Sequence, residues 1–349
     1  MKNRENYLTI SFGDSINDYP IITREKTKNM NKYYLFNKIN IFNKKINLEN
    51  EERRKRKYEH KKLSKQKIVI ENFYTSDYLN KTKKYLLVTV SFNNPIIVKY
   101  QIKLIKKYIK GSFEHIICDN SNRIDAARKI KEVCKNNNTT YIRINPDIIP
   151  NGYSDSHGIA LNWVWENILQ QRKQDFALLD HDIFPITEQN IEDYYSEQDF
   201  WGSIRFRNKN NKKDIWSLWP GFAFYKYEPL VNKKLNFRRY RKFGLFKISC
   251  VDTGSANWNC LYSKYDATTL KNCNMVTWDL KTDKEFVFNG NKNSDFEDCI
   301  EYFNNKTWLH SINGSEWHES KGKINLVYQL LNKILVDNYT NESIYYYLF

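Results

Sequence analysis

From Tyr85 onward, apolar β-branched runs alternate with amphipathic helical stretches, and no other feature of the chain limits its fold so strongly. YLLVTVSFNN (Tyr85 to Asn94) is a near-continuous apolar run that ends in polar residues, as expected of a strand buried on both faces. Pro95 stands where a helix can begin. Behind it, Val98, Ile102, Ile105 and Ile109 recur at helical spacing, with lysines on the other faces, until Gly111 stops the helix. FEHIICDNS (113–121) reads as a second strand, RIDAARKIKEVCKNN as a second helix and TTYIRIN (139–145) as a third strand. SHGIALNWVWENILQQ (156–171) follows as a third helix and DFALLDHD (175–182) as a fourth strand. Such alternation predicts an α/β fold, a parallel sheet with helices packed on its faces and ligands bound beyond the carboxyl ends of its strands. Three of those ends are polar: Ser91 to Asn94, Asp119 to Ser121, and Asp180 to Asp182.

The charge of the chain tests a nucleic-acid reading. The formal net charge is +16, but residues 1–84 hold 21 basic and 10 acidic side chains, against 35 and 30 in the rest. The excess is concentrated in the first quarter, around a basic run at Arg53 to Lys57, and nucleic acid is not the expected partner. That segment reads either as a solvated extension or as a patch for an anionic surface. GDSIND, near the start, reads as a turn. No apolar stretch approaches the ~18 residues of a membrane span, and the start lacks the apolar run of a signal peptide. Six cysteines without a CxxC pair suit free thiols in a reducing compartment.

Among the chemistry-bearing residues, Asp180-His181-Asp182 stands out, because two carboxylates converge if the chain turns at the end of a buried strand. They suit a hard cation, Mg²⁺ or Mn²⁺, that leaves positions open for phosphate oxygens; the plainer reading is a solvated turn. Asp119 suits hydrogen bonds to a nucleotide, or capping of the next helix. Ser91 and Asn94 extend the nucleotide reading. His157-Gly158-x-x-x-Asn162 is placed at a helix start, where free N–H groups favour phosphate, against simple capping and packing.

LLVTVSFNN, HIICDNS, HGIALNWVWENI and FALLDHDIF together resemble the nucleotide-binding half of GT-A fold glycosyltransferases, especially the large inverting family that builds polysaccharides and glycoconjugates. The resemblance covers Tyr85 to about Phe184 and implies a Rossmann-like mixed sheet flanked by helices. It implies that Asp119 meets the base, and that Asp180 and Asp182 hold Mn²⁺ or Mg²⁺ against the donor diphosphate. It departs at Asp119-Asn120-Ser121, where the family often has two carboxylates before Gly-Ser. It departs again at Leu161-Asn162, where Arg-Asn is common. By the same resemblance, the two strands of DFWGSIRFRNKNNKKDIWSLWPGFAFYKYEPL contribute to the acceptor site. Trp216 and Trp219 there are either sugar-stacking platforms or core filler. Asp252 in VDTG is either the catalytic base or the anchor of an Asx-turn. His310, with Gly314 and Ser315, is either a further metal ligand or diphosphate contact, or a hydrogen-bonded core histidine; His318 reads as surface.

These readings give three regions: a basic extension at 1–84, a GT-A domain at 85–325 and a C-terminal helix or tail at 326–349. The expected activity is metal-dependent transfer of a sugar from a UDP- or GDP-sugar to a hydroxyl of a glycan, lipid or protein, with inversion. The alternatives are a sugar- or nucleic-acid-binding protein on a degenerate scaffold, and a metal-dependent nucleotidyltransferase. The expected location is cytoplasmic, with peripheral membrane contact through the extension.

Overall fold

The computed structural model describes residues 83–144, 153–206, 215–239, 252–279, 299–312 and 321–336, with short pieces at 10–11, 21–22, 47, 51, 54, 69–71, 241–243, 248–250 and 284–287. It divides into two compact units. One is Met1–Ser64 with Arg241–Cys250, and the other is Lys65–Tyr240 with Val251–Phe349. The first contributes two small antiparallel pairs, Ile10–Ser11 with Ile21–Ile22 and Arg241–Phe243 with Ile248–Cys250. Most of the basic run, and GDSIND, lie outside the described residues.

The second unit carries β1 (Val69–Glu71), β2 (Tyr85–Ser91), α1 (Pro95–Tyr108), β3 (Phe113–Asp119), α2 (Ile124–Asn136) and β4 (Thr140–Arg143). Next come α3 (Tyr153–Val164), β5 (Asp175–Asp180), β6 (Ile183–Pro185), β7 (Phe200–Phe206) and β8 (Trp216–Tyr225). It ends with β9 (Met275–Asp279), β10 (Lys284–Val287), β11 (Cys299–Phe303), β12 (Trp308–His310) and α4 (Lys321–Val336).

Every residue of β2 is buried, as its unbroken apolar run requires. The main sheet is mixed and seven-stranded, in the order β7-β8-β5-β2-β3-β4-β1. The expected strands β2, β3, β4 and β5 are its parallel core, and β8, β7 and β1 add antiparallel edges. The chain winds outward from β2 through β3 to β4, then returns to place β5 on the other side of β2. The direction of winding therefore reverses between β2 and β5, where open α/β sheets form their crevice. Val90 pairs with Asp180, and Ser91 with Asp119, so all three polar strand ends share one edge.

Helices cover both faces. Val98 and Ile102 of α1 and Ile130 and Cys134 of α2 pack with Ile117 of β3. Trp165 packs against Phe176, whose neighbour Ala177 faces the α1 side, so the α3 segment covers the opposite face. After Val164 the helix widens into a π-turn at Trp165–Leu169 and stops at Lys173, which is left-handed at φ +52°.

A second sheet, antiparallel and in the order β10-β9-β11-β12-β6, hangs from the main one by the short turn between β5 and β6. α4 is part of the fold rather than a tail: Val327, Leu330, Leu331 and Ile334 pack with Leu104 of α1 and Leu309 of β12. Its C-terminal carbonyls are satisfied by α1. Lys107 Nζ donates to Ile334 O and Leu335 O, and the Tyr108 hydroxyl to Ile334 O. β1 likewise extends the main sheet upstream of residue 84. Among the described residues no helix is long and apolar enough to cross a membrane. Cys118, Cys134, Cys260 and Cys273 carry no disulfide.

Candidate active site at the carboxyl edge of the main sheet

The turn Asp180-His181-Asp182 is fixed from three sides. Gln101, buried on α1, donates through Nε2 to Asp180 O at 2.7 Å and to Ile183 O at 2.9 Å. His181 is buried and accepts at Nδ1 from Phe92 N at 3.2 Å, which ties the β5 turn to the end of β2. Burial holds the His181 imidazole below its usual range. Asp182 O accepts from Ser311 N at 3.1 Å.

Both carboxylates have histidine partners. Asp180 Oδ1 lies 3.3 Å from His157 Nε2, and Asp182 Oδ1 lies 3.5 Å from His310 Nε2. Burial raises the Asp180 carboxyl and the charge of Asp182 adds to it, while His157 and His310 pull the other way. Glu301 on β11 reaches His310 Nδ1 at 2.7 Å. Burial opposes a charge on His310, but Asp182 and Glu301 outweigh it and raise the imidazole to about 9. Burial would raise Glu301, yet its bond to His310 leaves it below the usual carboxylate range.

Gly221 makes room for this cluster. A Cβ there would meet the Trp219 ring and lie 2.5 Å from Asp180 Oδ2. Trp219 packs against His310, with ring centroids 5.0 Å apart, and the Arg205 guanidinium lies 5.1 Å over its ring.

Among the described residues no three His, Cys, Asp or Glu side chains form a ready-made cation cage. A hard cation does not require one when substrate phosphates and water complete its shell. The residues fit an open site: Asp182 and His310 face each other, Asp180 stands on the same turn, and the far nitrogen of His310 is held by a carboxylate, the usual outer partner of a metal-ligating histidine.

Other expected site residues stand differently. Asp119 is fully buried, and its carboxylate is engaged by the protein. It accepts from Ser121 N at 2.9 Å, Ser121 Oγ at 2.5 Å and the Tyr141 hydroxyl at 2.9 Å, with Arg143 at 3.5 Å. Ser91 is fully buried too, and its hydroxyl has no partner among the described residues. Asn94 caps α1, accepting from Ile97 N at 3.2 Å.

His157 and Gly158 do not open their helix, because α3 already begins at Tyr153. Gly158 is instead a close-approach site, where a Cβ would lie 2.9 Å from Phe237 O. Asn162 ties α3 to that same segment, donating to Asn236 Oδ1 at 3.0 Å and accepting from Phe237 N at 2.7 Å.

Trp216 is core, 1% exposed against Trp258 and Tyr262, with no face left for a sugar. Trp219 is buried as well, clamped by Phe303 and His310, and acts as a wall of the acidic cluster rather than a stacking platform. Asp252 is exposed and closes its own turn: a side-chain oxygen accepts from Thr253 N at 2.7 Å, and its carbonyl accepts from Ser255 N at 3.1 Å. Gly314, Ser315, His318 and the 207–214 connection lie outside the described residues.

The residues missed by sequence reasoning are Gln101, Arg205, Gly221 and Glu301. Glu301 had one signal, an acid sharing a strand face with Phe303 in an otherwise apolar alternation. The others had none, because each acts through a partner distant in sequence.

No protein-family model and no curated protein matches the chain. Among solved structures, the mannosyltransferase PcManGT from Pyrobaculum calidifontis in complex with GDP-Man and Mn²⁺ is similar over 50% of this chain and 52% of that one, at a TM-score of 0.30 and 9% identity. The match spans about half the length of that protein.

Proposed function

We propose that this chain is a metal-dependent glycosyltransferase of the GT-A type, moving a sugar from a UDP- or GDP-sugar to an acceptor hydroxyl with inversion. One observation carries the reading: the Asp180-His181-Asp182 turn stands at the winding reversal between β2 and β5, with His310 delivered to it by the second sheet. Inversion and the GT-A assignment follow the sequence resemblance.

On this reading Asp180, Asp182 and His310 would hold Mn²⁺ or Mg²⁺, which when bound neutralises charge developing on the departing diphosphate. The protein does the rest. Gln101 and His181 hold the acidic turn rigid, so its carboxylates need no reorganisation when the donor arrives. His157 Nε2 lies against Asp180 Oδ1 until then. Asp252 accepts the proton of the attacking hydroxyl, as an exposed carboxylate can.

A degenerate, non-catalytic scaffold is the second reading. The commitment of Asp119 and Asn162 to internal bonds favours it. Turnover separates the two. Incubation with a panel of UDP- and GDP-sugars should release nucleoside diphosphate only when Mn²⁺ or Mg²⁺ is present. In parallel, Asp182→Ala should keep its thermal unfolding temperature yet lose metal-dependent nucleotide binding. Wild-type metal dependence in that variant would remove the acidic turn from the mechanism.

A further inference from the structure

Glu301 lies directly opposite His310 in the β11–β12 ladder and is 3% exposed. A carboxylate so enclosed is costly unless a partner compensates it. Here the partner is an imidazole, with Glu301 Oε2 2.7 Å from His310 Nδ1. The ring cannot turn freely, since Trp219 and Phe303 lie against it with centroids 5.0 and 5.8 Å away. Its strand is anchored to the acidic turn by the pairing of His310 with Ile183 and by Ser311 N donating to Asp182 O. With one nitrogen taken by Glu301, the other, Nε2, is left facing Asp182 Oδ1 at 3.5 Å.

We propose that Glu301 is a positioning residue for cation binding: it holds the Nδ1 hydrogen of His310 and fixes the ring, so that when a divalent ion shared with Asp182 displaces the hydrogen on Nε2, the lone pair left there points at that ion. This rests on the metal reading above. An imidazole that offers a lone pair at Nε2 must carry its hydrogen on Nδ1, and a buried Nδ1–H needs an acceptor. Among the described residues Glu301 is that acceptor. The second sheet thus supplies both a ligand and the group that orients it.

The test uses the full chain and Mn²⁺ alone as the probe, read by a binding isotherm and by the ¹⁴N coupling of bound Mn²⁺ in pulsed electron paramagnetic resonance. The wild type should show nitrogen coupling, and His310→Ala should lose it. Glu301→Leu keeps the packing and removes the acceptor, so Mn²⁺ affinity should fall roughly 10–100-fold and the coupling should fade. Glu301→Gln, which can still accept from Nδ1–H, should restore most of both. If Glu301→Leu does not fold, Glu301→Asp replaces it, since it withdraws the acceptor by one methylene while keeping the charge. Wild-type affinity and coupling in whichever of the two folds would overturn the proposal and leave the metal reading standing. Coupling that persists in His310→Ala would overturn it too, because the nitrogen would belong to another residue. A wild type that binds no Mn²⁺ would remove the metal reading and this proposal together.

Discussion

Gly221 shows how little space separates the cluster from its wall. Gly221→Ala would press a methyl group on Trp219 and on Asp180 Oδ2 at once. Overpacking of this kind costs about 1–3 kcal/mol, and here part of the relief must come from the Asp180 carboxylate. Denaturant unfolding should show that loss, and metal-dependent nucleotide binding should weaken more than the stability change accounts for. Equal loss with and without metal would mean that Trp219 alone yields. Asp252 poses the opposite question, because its side chain is exposed and its one described hydrogen bond lies within its own turn. Asp252→Asn keeps that bond but cannot take a proton. Transfer should fall roughly 10²–10⁴-fold with donor affinity unchanged if the carboxylate is the base. Near wild-type transfer would reduce Asp252 to its structural role of closing the turn.

At the scale of elements, α4 and the second sheet matter because the cluster depends on them. β12 carries His310, and its Leu309 packs into the same cluster as Leu331 of α4. Leu331 is fully buried, so Leu331→Ala should cost about 2–5 kcal/mol of stability. The same change should loosen Mn²⁺ binding through β12, whereas a cavity cut beneath α2 by Ile130→Ala should lower stability alone. Calorimetric melting beside a Mn²⁺ titration separates the two effects. The elements also show where the sequence was readable. β2 to β5 and the helices between them appear within a few residues of their expected bounds, because each buries a continuous apolar run or a helical stripe that declares itself locally. α3 starts at Tyr153, three residues before the Ser156 that the sequence pattern predicts. A helix whose first turn is polar gives no periodicity to read there.

For the whole molecule, the main sheet carries an acid-sensitive group far from the metal question. His115 is buried, 3.1 Å from Thr89 Oγ1, and burial, aided by the charge of Lys106, lowers its imidazole to about 3. In the unfolded chain it titrates near 6.5. Below that value the unfolded state binds the extra proton, so stability is complete above about pH 6.5 and declines as pH falls toward 3. Between pH 7.5 and pH 5 the loss should be about 2 kcal/mol. Chemical denaturation at the two pH values should show a smaller decline in His115→Gln; an unchanged decline would place the sensitivity elsewhere. Local sequence suffices for the alternation of buried strands and amphipathic helices, for the polar residues that end three of those strands, and for the acidic pair Asp180 and Asp182. All of these are written in residues close together in the chain. Packing between distant segments places β5 beside β2 and so brings the three polar ends to one edge, buries Trp216 and Trp219 as core, engages Asp119 with Tyr141 and Ser121, and stands Glu301 behind His310. Those outcomes turn on which distant segments bury one another, and a buried polar group takes whatever partner the packing brings to it.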